Sequence, residues 1–218
     1  MFQPYLVNIP APGKTFKRVY PVSMRYSDSR KGEDMSKTAL IPVADGTEEM
    51  EAVTLIDILR RAGTDVTVAS VHQAQIISSH GVKIVSDVLI QDCAGKTYDL
   101  IALPGGLPGA EHLRDCPILI DLLQEQSKAG RLYAAICASP AVVLAPHGLL
   151  KGKKATCYPG FDSQLPDRSK ACERVVRDGH CITSQGPGTA LAFALTLVEC
   201  LHGTDQAKAM AQQTLFCP

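Results

Sequence analysis

From residue 39 onward, short apolar runs alternate with amphipathic stretches. Ala39-Leu40-Ile41-Pro42-Val43-Ala44 is wholly apolar and ends in the turn pair Asp45-Gly46, which predicts a buried strand followed by a tight loop. Between Glu48 and Ala62 the apolar positions Met50, Val53, Leu55, Ile58 and Leu59 recur at helical spacing, and Gly63 stands where a helix would stop. Asp65 to Ala69 predicts a second strand, and the segments Ile76-Ile77 and Val82 to Val85 predict a hairpin-like excursion. Leu100 to Leu103 predicts a buried strand entering Pro104-Gly105-Gly106, and Pro117 to Lys128 a helix. Leu132 to Ile136 predicts a strand that runs straight into Cys137, with a helix restarting over Pro140 to Leu144. Strands at 174–176 and 181–183 and helices at 189–200 and 205–214 complete the pattern. Such alternation predicts an α/β fold of a single domain, a mostly parallel sheet with helices on both faces.

Residues 1–34 break this pattern. They hold Pro4, Pro10, Pro12 and Pro21, the bases Lys14, Lys17, Arg18 and Arg25, and no acid before Asp28. They are expected to form an N-terminal extension, either a disordered tail or an organelle transit peptide, ahead of a domain over 35–218. The cytoplasm is the expected address, with mitochondrion or plastid as the alternative if the extension targets the chain.

Composition narrows the function classes. The 22 basic and 22 acidic residues cancel, leaving no global field for sequence-specific nucleic-acid binding or an anionic membrane. No apolar run approaches a membrane span. The eight cysteines show no C-x-x-C pair and the six histidines no ligand spacing, so neither a metal site nor a disulfide framework is expected.

In sheets of this kind ligands bind beyond the carboxyl ends of the strands. Three loops qualify: 45–51, 104–110 and 137–140. Cys137 has a strand-turn-helix placement, where helix N–H groups would lower a thiol pKa. Adjacent Gly105 and Gly106 let backbone N–H groups approach a developing oxyanion. Their spacing to Gly109 is not that of a dinucleotide site, and no cofactor is expected. Glu48, Glu49 and Glu51 open the first helix, and the spacing leaves open which of them reaches the cysteine.

The segments Asp45 to Ala52, Leu103 to Gly106, Ala134 to Pro140 and Thr183 to Thr189 together resemble the ThiJ/PfpI superfamily. Within it they resemble the Parkinson disease protein (DJ-one) branch, with Leu59 to Gly63 and Leu103 to Ala110 leaning toward its plant-like members. The resemblance covers roughly 37–214. It implies a flavodoxin-like sheet, a homodimer, and a low-pKa Cys137 bonded to a protonated Glu51, with Gly106 and Ala138 supplying N–H groups. It further implies a glutathione-independent glyoxalase or deglycase acting on methylglyoxal, glyoxal or their early adducts, in a role against carbonyl and oxidative stress. Two positions depart from the family: Tyr158, expected still to hydrogen-bond on the substrate and oxyanion side, stands where animal members often carry a histidine, and His80 where an arginine reaches over from the dimer mate. Arg61 is expected beside that interface.

The chemistry expected of such a pair starts with attack of the Cys137 thiolate on an α-oxoaldehyde, after which Glu51 moves protons. Amidotransfer or proteolysis by a Cys-His pair is disfavoured, because no histidine follows Cys137 in a loop of the required kind. The other-class alternative is a redox-sensing chaperone in which Cys137 is oxidised to sulfinate.

Overall fold

A computed structural model describes residues 36–216; the expected extension over 1–34 lies outside them. The chain alternates as the apolar pattern predicts: β1 (Thr38–Val43), α1 (Glu49–Arg61), β2 (Asp65–Ser70), the hairpin β3 (Gln75–Ile77) and β4 (Lys83–Val85), β5 (Val88–Leu89), β6 (Leu100–Leu103), α2 (Gly109–Arg114), α3 (Pro117–Lys128), β7 (Leu132–Ile136), β8 (Val175–Asp178), β9 (Cys181–Ser184), α4 (Ala190–His202) and α5 (Thr204–Gln213). Seven strands form one sheet in the order β5-β2-β1-β6-β7-β9-β8. All neighbours are parallel except β8 and β9, which close one edge as an antiparallel pair. This is a flavodoxin-like α/β fold.

Strand residues divide between two cores by alternation. Leu40, Ile101, Leu103, Tyr133 and Ala135 pack on one face with Leu113 of α2 and Leu119, Leu122 and Leu123 of α3. Ala39, Ile41, Val43, Leu100, Ala102, Ala134 and Ile136 pack on the other with Leu55 and Leu59 of α1, Phe193 and Leu197 of α4 and Met210 of α5. Both faces being covered explains why these strands read as unbroken apolar runs. Pro42, which has no N–H to give a ladder, lies beyond the last pair of β1 with β6, Leu40 with Ile101.

Two helical details bear on the site. Gly109–Arg114 is a helix the sequence reading did not include, and the helix expected over Pro140–Leu144 is present as a single turn of π-helix. Because β1, β6 and β7 are sheet neighbours and parallel, the loops that follow them emerge side by side. The Asp45, Gly105 and Cys137 segments meet there.

Candidate active site

Cys137 is the first residue after β7 and has a left-handed backbone, φ 65°. A non-glycine residue in this region costs about 1–2 kcal/mol, and such strain persists only where surrounding contacts enforce it. Here the Cys137 N–H donates to Ser184 O at 3.0 Å and its carbonyl accepts from Tyr158 N–H at 2.8 Å. Next to it, the buried Ser139 hydroxyl donates to Pro104 O at 2.6 Å and ties the turn to the loop after β6. The thiol residue is 9% exposed. The thiol-bearing residue at the sheet end thereby has its main chain fixed by bonds from neighbouring segments.

Glu51, in the first turn of α1, has no exposed surface. Its Oε2 accepts from Gly105 N–H at 2.7 Å. Oε1 is buried and accepts no hydrogen bond among the described residues. The Cys137 thiol and the Glu51 carboxyl stand close enough to move each other's proton affinity. Burial pushes Glu51 up to about 7; the Gly105 N–H opposes this, the Glu48 charge adds to it, and the thiol lowers it. Such a value suits a group that must give and take a proton near neutrality. An uncommitted carboxylate oxygen is costly to bury, and it is the atom free to accept one.

Burial also pushes the Cys137 thiol up, to about 12, with the Glu51 charge adding to the rise and the N–H groups of Gly106 and Ala138 working against it. This reverses the direction expected from a helix N-terminus. The helical segment that follows is one π turn beginning with a proline, so its dipole is small, and desolvation is the larger effect. Cysteine and glutamate titrate as a pair. Moving a proton from sulfur to Glu51 removes the charge that disfavours the thiolate, which makes Glu51 the candidate base for this thiol.

The loops interlock backbone to backbone, which accounts for the glycines. A Cβ on Gly105 would lie 2.6 Å from the Cys137 Cβ. Gly106 has φ +85°, and a Cβ there would lie 2.4 Å from Gly46 O and 2.5 Å from Glu48 N. The two glycines differ in use. Gly106 and Ala138 turn their N–H groups on the thiol, whereas the Gly105 N–H, grouped with them from sequence as an oxyanion donor, is engaged by Glu51.

The remaining expected residues lie farther out. Tyr158 is exposed, with its ring against Gly186. His80 is exposed and lies 3.4 Å from Glu49 Oε2, which also accepts from Ser79 Oγ at 3.0 Å. Although burial works against it, backbone, Ser79, Ser78 and His80 partners hold the Glu49 carboxyl down at about 2. Arg61 is exposed and pairs with Asp57 at 2.6 Å. Ligand atoms of Glu48, Glu49 and His80 gather within 4.8 Å, but capping of α1 and the bonds to Ser79 and His80 account for these carboxylates. Sequence reasoning missed Ser139, Ser184 and Glu48 as supports of the site; the small hydroxyl residues flanking Cys137 and ending β9 were the available signal.

Residues 37–200 match the DJ-1/PfpI family. The chain belongs to this family. It is 49% identical over 177 residues to Protein DJ-1 homolog B of Arabidopsis thaliana, a match covering 81% of this chain and 40% of the relative. The chain therefore spans less than half the length of that plant relative. It is 37% identical over 177 residues to the glutathione-independent glyoxalase DJR-1.2 of Caenorhabditis elegans, covering 80% of this chain and 93% of the relative. Among solved structures, oxidized Toxoplasma gondii DJ-1 superposes with a TM-score of 0.82 at 47% identity, covering 84% of this chain and all of that one.

Proposed function

We propose that this protein is a glutathione-independent glyoxalase that converts methylglyoxal to lactate, and glyoxal to glycolate, through Cys137 and Glu51. The observation that carries the reading is a buried thiol and a buried carboxyl, close enough to shift each other's proton affinity, beside the N–H groups of Gly106 and Ala138. A relative bearing the name of that activity supports it.

The chemistry follows from the pair. Glu51 takes the thiol proton as sulfur attacks the aldehyde carbon, and the resulting oxygen is received by the N–H groups of Gly106 and Ala138 before it is protonated. From this hemithioacetal Glu51 removes the proton on C1 and a proton is delivered to C2, while the hydroxyl proton passes from the C1 oxygen to the C2 oxygen, leaving a thioester of the hydroxy acid. Water releases the acid and restores the thiol. The sum is methylglyoxal plus water to lactate, with no net redox change. Early adducts of these aldehydes on amines carry a related reacting carbon, so deglycation is the same chemistry on a larger substrate.

The chain is also proposed to work as a homodimer. Met50 and Val53 on α1, with Ile77, Val82 and Val85 on the β3–β4 hairpin, are large apolar side chains left exposed. Bonds from Gly46 N to Ile77 O and from Ser79 to Glu49 hold the hairpin against the start of α1. Such a patch is a protein-contact surface, and a second copy offers the self-complementary partner. The test of function is methylglyoxal consumption without glutathione: turnover by the purified protein and none by Cys137→Ser supports the reading, and equal rates for both contradict it.

A further inference from the structure

We infer that Glu48 is a positioning residue for the acid/base Glu51: its buried carboxylate holds the Glu51 backbone and keeps a second negative charge beside that side chain. The inference rests on the acid/base role proposed for Glu51.

Glu48 is the N-cap of α1, and its Oε2 accepts from Glu51 N–H at 2.7 Å. Its own N–H donates to Gly105 O at 2.9 Å, and Gly105 N–H donates to Glu51 Oε2 at 2.7 Å. Three hydrogen bonds thus close a circuit through Glu48, Gly105 and Glu51, and Gly105 abuts Cys137. Any displacement of the cap moves the base relative to the sulfur.

A cap needs only an acceptor, and short side chains such as Ser, Thr, Asp and Asn supply one most often. Glu48 instead buries an acid, 6% exposed, next to another acid. Placing like charges together disfavours ionisation of the partner. The ionisable groups acting on Glu51 are Glu48 from its own helix and Cys137 from the end of β7, while the loop after β6 offers only the Gly105 N–H. Removal of the Glu48 charge should let Glu51 ionise at lower pH.

Glu48→Gln keeps the acceptor and removes the charge, and Glu48→Asp keeps both. The pH dependence of Cys137 alkylation by iodoacetamide, followed by mass spectrometry, reads the pair without any substrate; methylglyoxal turnover is measured alongside. In Glu48→Gln the ascending limb should move down by about one pH unit with KM unchanged, and in Glu48→Asp it should stay in place. An unshifted limb in Glu48→Gln, or equal shifts in both variants, would overturn the inference. Should Glu48→Gln fail to fold, Glu48→Ser caps without charge and must show the same downward shift; an unshifted limb there overturns it too. A shifted alkylation limb in protein that does not turn over methylglyoxal sinks the glyoxalase reading and leaves the role of Glu48 standing.

Discussion

Replacing Glu51 by Gln should cost activity and return stability, in amounts that follow from the burial of one carboxyl. In the folded protein that group rises from the ordinary 4.5 to about 7, and at 1.36 kcal/mol per unit this corresponds to about 3 kcal/mol. Because the folded value is the higher one, the stabilising contribution of the protonated acid is complete below about pH 4.5. It fades as pH rises through about 7, above which folding bears the whole cost of a buried charge. Gln has no such dependence. Its amide oxygen can accept from Gly105 N–H and its NH2 can face the sulfur, so the cavity is filled and the bond kept. Urea unfolding of both proteins from about pH 4.5 to pH 8 should show the difference moving in the variant's favour by about 3 kcal/mol. Over the same interval turnover should be lower in the variant by about 100- to 10,000-fold, the usual worth of a general acid/base. Stability curves that run parallel with pH would refute the raised carboxyl, and unimpaired turnover would refute its role.

The wild-type rate of methylglyoxal consumption, kcat/KM against pH, should rise through about 7, where the pair loses its first proton; a flat profile between about pH 5 and 9 contradicts this. Gly106→Ala combines a left-handed φ with a 2.4 Å approach to Gly46 O, and it should lose at least about 2 kcal/mol of stability, read by thermal unfolding. Val53→Glu places a charge on the exposed apolar face of α1; under the proposed dimer, light scattering should give a dimer for the wild type and a monomer for this variant. Tyr158→Phe should leave turnover within about twofold, since it is the backbone N–H of this exposed residue that holds Cys137.

Most of the architecture was legible because strands buried on both faces read as continuous apolar runs: Leu100 to Leu103 and Leu132 to Ile136 appear at the positions their composition predicts. The helix Gly109–Arg114 was not, since it follows Pro108, opens on glycine and is too short for its periodicity to stand out. Cys137 was legible as the end of a strand leading into a turn, and family resemblance singled out Glu51 from three glutamates. Its distinction from Glu48 and Glu49 is a matter of helix phase: one caps, one faces the β3–β4 hairpin and one points inward. The direction of the thiol shift escaped the sequence because desolvation depends on every element packed over the site, and the bond from Ser139 to Pro104 spans 35 residues.

The central claim is that Cys137 and Glu51 turn an α-oxoaldehyde into a hydroxy acid by moving a proton between adjacent carbons. It is tested most directly by proton NMR of methylglyoxal incubated in D2O with the purified protein and no glutathione. The account predicts lactate accumulating over many turnovers with deuterium at C2, delivered by a Glu51 proton that exchanges with solvent, and none from Cys137→Ser. No lactate from the wild type, or the same yield from Cys137→Ser, would contradict it.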